Sequence, residues 1–270
     1  MQPRHSLPLR YHSSTNYFLF AVSVEKQPIK LQQDPIFEAV FEMRFSIESD
    51  QVADLIPGIV FPKLRKDFPK TEALPFAQIP KVIRDQNPEL RYQASRRLIG
   101  QRLIISLGDR VAGISCPKPY IGWSEFQPVI LQLVDLLKNA ELIKQVERFS
   151  LKYSNMLPGV NQKEQFAHTQ FTATLGKTNL AEQLTQVRTE FEEGGFINIV
   201  ELAANAVAKP ISGATMTGLL LSIDTICNNP SDFWNNAKTL LEDAHKVEKA
   251  IFFRALTKET IDALKPVWGT

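Results

Sequence analysis

The 270-residue chain has two cysteines and four histidines. Two thiols, Cys116 and Cys227, are too few for a disulfide scaffold or a structural zinc site. Buried free thiols in a reducing cytoplasm are the expectation. Only His168 and His245 lie outside residues 1–30, in different segments and with no second ligand at metal spacing. Zinc takes three or four such ligands, so no metal is expected. No run of 18 apolar residues occurs, so no membrane-spanning helix is predicted. The phosphate-cradling loop, the G-x-S-x-G turn and the dinucleotide fingerprint are all missing. Gly113-Ile-Ser-Cys116 superficially looks like a nucleophile turn but lacks the second glycine and a neighbouring histidine. No cofactor is expected and no catalytic residue is assigned.

Charge of one sign is scarce too. The net charge is +2, and residues 1–30 carry Arg4, Arg10, Lys26 and Lys30 against Glu25. The remaining 240 residues hold 27 basic and 28 acidic side chains, net −1. A nucleic-acid binder concentrates basic residues on one face of its body. Here the local group Arg96, Arg97 and Arg102 reads as solvated hairpin edges. The expected partner is a protein rather than a nucleic acid or a membrane, with the oligomeric state open. Residues 1–30 scatter Pro, His and Ser before one short apolar run, residues 17–22. A secretory signal uses an apolar region of roughly 7–15 residues. The segment is therefore expected to be a disordered leader, translated from an over-early start codon, with the native start near Val22 or Val24.

What the chain does have is alternation and phenylalanine, 17 of the latter. Through residues 35–47 the odd positions Phe37, Ala39, Phe41, Met43, Phe45 and Ile47 are apolar, and the even ones include Glu38, Glu42, Arg44 and Ser46. Side chains in a strand alternate between faces, so this is a strand with one face on a Phe-rich core. A short helix follows within residues 50–68, with Asp50 as its cap and Pro57 and Pro62 limiting its length. Residues 57–88, rich in proline, read as a long irregular connection. Residues 92–99 and 102–107 form a hairpin across Gly100-Gln101, and residues 110–115 a third strand. A helix spans residues 123–140, with Ser124 and Gln127 as a capping box and Phe126, Ile130, Leu133, Val134 and Leu137 as its stripe. Residues 146–155 return as a strand.

In the second half, residues 166–175, 184–191, 196–208 and 217–227 read as strands, with Gly194-Gly195 and Ser212-Gly213 at turns and a helical turn starting near Asn179. A long helix then runs from Asp232 to about Leu256, and a short one covers residues 258–265. The expected fold is α+β, with two antiparallel-sheet subdomains, residues 31–158 and 159–270. The second is a β-meander covered by the long C-terminal helix.

Several segments resemble, in order, those of a sporadically distributed prokaryotic family of conserved hypothetical proteins. Pro35-Ile-Phe-Glu-Ala-Val-Phe-Glu-Met-Arg-Phe45 is similar to its opening signature, and Tyr120-Ile-Gly-Trp-Ser-Glu-Phe126 to its central aromatic motif. Phe149-Ser-Leu-Lys-Tyr-Ser-Asn155 resembles a strand in which Ser150 and Lys152 replace the usual Gly and Arg. Leu219-Leu-Leu-Ser-Ile-Asp224 resembles a strand with two spaced aspartates, Ser222 standing at the first. Ala244-His245, Phe252-Phe253 and Thr257-Lys-Glu259 resemble its C-terminal helix. The likeness covers residues 33–264. It implies an α+β architecture, transfers no activity, and its scattered distribution is compatible with mobile elements or defence.

Candidate binding residues are Glu38, Glu42, Arg44, Tyr153, Asn155, Asp224 and His245. Glu38 and Glu42 point the same way, roughly 13 Å apart at strand rise, wider than glycosidase carboxylate pairs. His245, late in a helix, suits a partly protonated imidazole. Two functions follow. The first is a non-catalytic binding or regulatory protein acting through the polar strand face and the residue 57–88 connection. The second is a metal-dependent hydrolase or nuclease, which needs Glu38, Glu42, Glu147, Asp224 and His245 to converge in one cavity.

Overall fold

The computed structural model describes residues 27–49, 55–88, 90–183, 186–210 and 214–269. Its strands are Lys30–Leu31 (β1), Ile36–Ile47 (β2), Lys70–Ala73 (β3), Arg96–Ile99 (β4), Ile104–Leu107 (β5), Val111–Pro117 (β6), Ile143–Leu157 (β7), Thr174–Leu175 (β8), Thr178–Asn179 (β9), Gln186–Glu193 (β10), Phe196–Ala208 (β11), Met216–Asn228 (β12) and Pro266–Val267 (β13). Its helices are Ile56–Leu64 (α1), Lys81–Gln86 (α2), Trp123–Asn139 (α3), Gln162–Phe166 (α4), Phe233–Ala255 (α5) and Lys258–Ala263 (α6).

The alternation of residues 35–47 becomes β2. Ala39, Phe41, Met43, Phe45 and Ile47 are buried, while Phe37 is half-buried beside a register irregularity between Ile36 and Glu38. β2 lies near the middle of a nine-stranded antiparallel sheet in the order β10-β11-β12-β7-β2-β6-β5-β4-β3. The stripes of α3 and α5 cover its apolar face, with Phe126, Ile130, Leu133, Phe233 and Leu241 packed among the β2 side chains.

The α+β class and the meander under a C-terminal helix are as expected. There are two apolar clusters, the second built from Leu157, Leu219, Leu221 and Ile223 under Ile251 and Phe252, and both draw residues from before and after Pro158-Gly159. The two halves also share one sheet. β12 pairs with β7 from Leu219↔Leu157 to Asn228↔Arg148, and the chain leaves β7 at Pro158-Gly159. At 23 residues α5 is about 35 Å long, enough to reach both clusters. The β10–β11 turn presses on it. Gly194 has φ of 64°, and a Cβ there would meet Val247 Cγ2 at 2.5 Å.

Several expectations change. Residues 57–88 are not an irregular connection. α1 buries Ile56, Val60 and Leu64, β3 pairs with β4 at the sheet edge, and α2 is held by Arg84, whose Nη1 lies 2.7 Å from Asp109 Oδ2. Pro57 falls in the first turn of α1, where a helix tolerates proline, and Pro62 lies inside the helix near its end. The Ser124–Gln127 capping box does not form, because Gly122 is the N-cap of α3 and Ser124 lies inside its first turn. Gln127 donates instead to Glu242 Oε1 at 2.8 Å. Tyr92 lies outside the hairpin strand. Residues 166–175 are not a strand either. Asn161 accepts the Glu164 N–H and caps α4, Phe166 enters the second cluster, and strand pairing is reduced to a Thr169↔Leu256 bridge and two-residue β8. The leader through residue 26, the Asp50 cap, the Leu184 strand start and the Ser212-Gly213 turn lie outside the described residues. The linker beyond residue 28 is held to the C-terminus by β1–β13 pairing and by Ile29 N–H donating to Val267 O.

Candidate functional site

Residues directly opposite in an antiparallel pair point to the same face. Val40, Glu42 and Arg44 of β2 therefore share a face with Lys152, Ser150 and Arg148 of β7. Glu38 joins them opposite Ser154, and β12 adds Ser222 and Asp224 opposite Ser154 and Lys152. The sheet thus gathers Glu38, Glu42, Arg44 and Asp224 on one polar face, turned away from α3 and α5.

At its centre Arg44 and Arg148 stand directly opposite each other. Like charges in that position repel. Each turns to a carboxylate. Arg44 Nε donates to Glu42 Oε1 at 2.7 Å, and Arg148 Nη2 reaches Asp224 Oδ2 at 3.5 Å. Burial lowers the Arg148 pKa and the Arg44 charge lowers it further, against the pull of Asp224. Burial likewise raises the Asp224 carboxyl, although Arg148 and the Ser150 hydroxyl oppose it. It raises Glu38 against a Ser115 hydrogen bond and the Lys152 charge. Arg148 Nε is buried with no hydrogen-bond partner among the described residues. Tyr92 flanks the pair. Its ring centroid lies 5.1 Å from the Arg44 guanidinium carbon, and its hydroxyl donates to Glu147 Oε2 at 2.6 Å. Arg148 and Tyr92 were missed from sequence. Arg148 carried a signal, the polar parity of its strand, but nothing local says that it faces Arg44.

Tyr153 and His245 meet on the opposite side, in the core. The Tyr153 hydroxyl is 3.0 Å from the Tyr120 hydroxyl and 3.4 Å from His245 Nδ1. Trp123 stacks on the imidazole, centroids 4.2 Å apart and planes 13° apart, and its indole N–H donates to Glu242. Burial, helped by the Lys249 charge, lowers the His245 pKa to about 3. The expectation of a partly protonated imidazole is therefore corrected, because desolvation outweighs the helix dipole. One turn on, Glu248 is 4% exposed, and burial raises its carboxyl to about 8 against the Lys249 charge. Asn155 is 1% exposed and donates to Leu221 O at 3.2 Å, a tie between β7 and β12 rather than a binding group.

The hydrolytic residue set does not converge, since His245 is separated by the sheet from Glu38, Glu42 and Asp224. Among the described residues no group of three His, Cys, Asp or Glu side chains could hold a metal ion. No helix among them is long and apolar enough to cross a membrane. No family model matches the chain, and no curated protein matches it.

Proposed function

We propose that this chain is a non-catalytic binding or regulatory protein of the cytoplasm that docks a protein partner on the polar face of its sheet. The observation that carries this is the Arg44–Arg148 pair, two guanidiniums opposed across β2 and β7, with Arg148 Nε buried and unbonded among the described residues. Like charges directly opposite each other destabilise the pair, and a carboxylate of a partner laid on this face offsets that repulsion. The flanking Glu42 and Asp224 fix the register of the contact by rejecting a misplaced acid. The resemblance of residues 33–264 to a family of scattered distribution fits a role linked to mobile elements or defence.

The test is affinity purification from the native host with the wild-type chain and with Glu38, Glu42 and Arg44 all changed to Ala. Exposed or half-exposed ion pairs contribute roughly 0–1 kcal/mol, and the Arg44 and Glu42 side chains are 31% and 32% exposed. The triple variant should therefore fold with a nearly unchanged melting midpoint and lose the partner the wild type retains. Equal retention removes this face as the site, and an unfolded variant makes the three residues structural.

A further inference from the structure

A cavity of about 360 Å³ lies away from both the polar face and the Tyr153 cluster, where the lead into β2, the end of β7 and α6 meet. Its volume falls at the lower end of the range for small-molecule sites. Pro35, Met156, Leu157 and Leu264 supply apolar wall, and the two ionic groups in the lining are Asp34 and Lys118.

The walls are tied together by the chain's own bonds. Gln32 and Gln33 N–H groups donate to Lys265 O and Leu264 O. His168 bridges the far side, with Nε2 2.7 Å from Pro158 O and Nδ1 3.2 Å from Thr260 Oγ1. A carbonyl only accepts, so Nε2 carries a proton. The space is therefore formed before any ligand arrives, which limits the ordering cost of binding.

Each ionic residue is anchored by a backbone hydrogen bond. Asp34 Oδ1 accepts the Ile36 N–H at 2.9 Å. Lys118 is held through its backbone N–H, which donates to Phe37 O at 2.8 Å. The residue is half-buried and enters no ion pair among the described residues. Burial raises the Asp34 carboxyl, and the charges of Lys118 and Lys30 only partly oppose this. One cation and one anion that both line an apolar hollow and form no ion pair with each other match a molecule carrying both charges and an apolar body.

We propose that this cavity binds a small zwitterion of the α-amino-acid class, its carboxylate at Lys118, its ammonium at Asp34 and an aliphatic side chain against Met156, Leu157 and Leu264. This site is independent of the protein-docking face, and neither proposal needs the other.

The test is calorimetric titration of the full chain with free leucine, with leucinamide, which lacks the carboxylate, and with 4-methylpentanoate, which lacks the ammonium. Leucine should bind saturably. Each analogue should bind about 10- to 100-fold more weakly, the factor for losing one charge-assisted hydrogen bond. Lys118→Met should bind leucine and leucinamide equally, and Asp34→Asn should bind leucine and 4-methylpentanoate equally. Absence of saturable leucine binding overturns the proposal, as does 4-methylpentanoate or leucinamide binding as tightly as leucine to the wild-type chain. If Asp34→Asn fails to fold, the analogue comparison on the wild-type chain decides alone.

Discussion

Two side chains on one face of α5 make opposing contributions to the pH dependence of stability. Glu248 is raised from its ordinary 4.5 to about 8 by burial. The folded state therefore keeps a proton that the unfolded chain releases between those values, so this group costs stability as pH rises from about 4.5 to 8. His245 is lowered from 6.5 to about 3. The unfolded chain takes up a proton below 6.5 that the folded state refuses, so stability falls as pH drops from 6.5 to about 3. The slopes oppose each other between about 4.5 and 6.5, so the joint contribution of this pair is flat there and declines on either side. Glu248→Gln removes the alkaline decline. It should be more stable than wild type at pH 8 by a few kcal/mol in denaturant titrations at pH 5.5 and 8, because a tenfold difference in proton affinity between folded and unfolded chain is worth about 1.4 kcal/mol. An unchanged pH profile would place the Glu248 carboxylate in water. Neither side chain could be assigned this behaviour from sequence, because their desolvation comes from elements distant in the chain, Tyr120, Trp123 and Tyr153 among them. For His245 the helix alone suggests a charged imidazole, and the side chains packed on it reverse that.

At the scale of the element, alternation was the most legible signal. The odd residues of β2 from Ala39 to Ile47 are buried as period two requires, and Phe41 is 0% exposed between Leu151 of β7 and Ile114 of β6. Phe41→Ala should cost roughly 3–5 kcal/mol by denaturant unfolding; a loss under about 1 kcal/mol would contradict this packing. The stripes of α3 and α5 were legible for the same reason, since one apolar face needs a sheet to cover. Residues 57–88 were not. Proline removes a donor locally, but α1 needs few in its first turn, and β3 and α2 are held by partners outside the segment, β4 and Asp109. Residues 166–175 failed oppositely. Their Phe and Thr content suits a strand, yet the Asn161 cap and the burial of Phe166 in the second cluster, with Phe171 packed against it, win.

Across the whole molecule, the β7–β12 pairing joins two halves that the sequence divides at Pro158-Gly159. α5 reinforces the join, contributing Phe233, Ala237 and Leu241 to the first cluster and Ile251 and Phe252 to the second. Residues 31–158 expressed alone would bare the β7 edge and the apolar face under α5. They should be aggregated or molten, with lost near-ultraviolet dichroism and raised dye binding, whereas a cooperatively melting fragment would make the first half an autonomous domain. The sequence by itself determined which residues avoid water, where most strands and both long helices lie, and that Glu38, Glu42 and Arg44 share a face, because these follow from periodicities of two and 3.6 within one segment. Only the tertiary structure decided that Arg148 opposes Arg44, that His245 is split from the carboxylates by the sheet, and that Asp34 and Lys118 border one cavity. Each depends on register between strands far apart in the chain, and register is set by the packing of both faces together, which no single segment encodes.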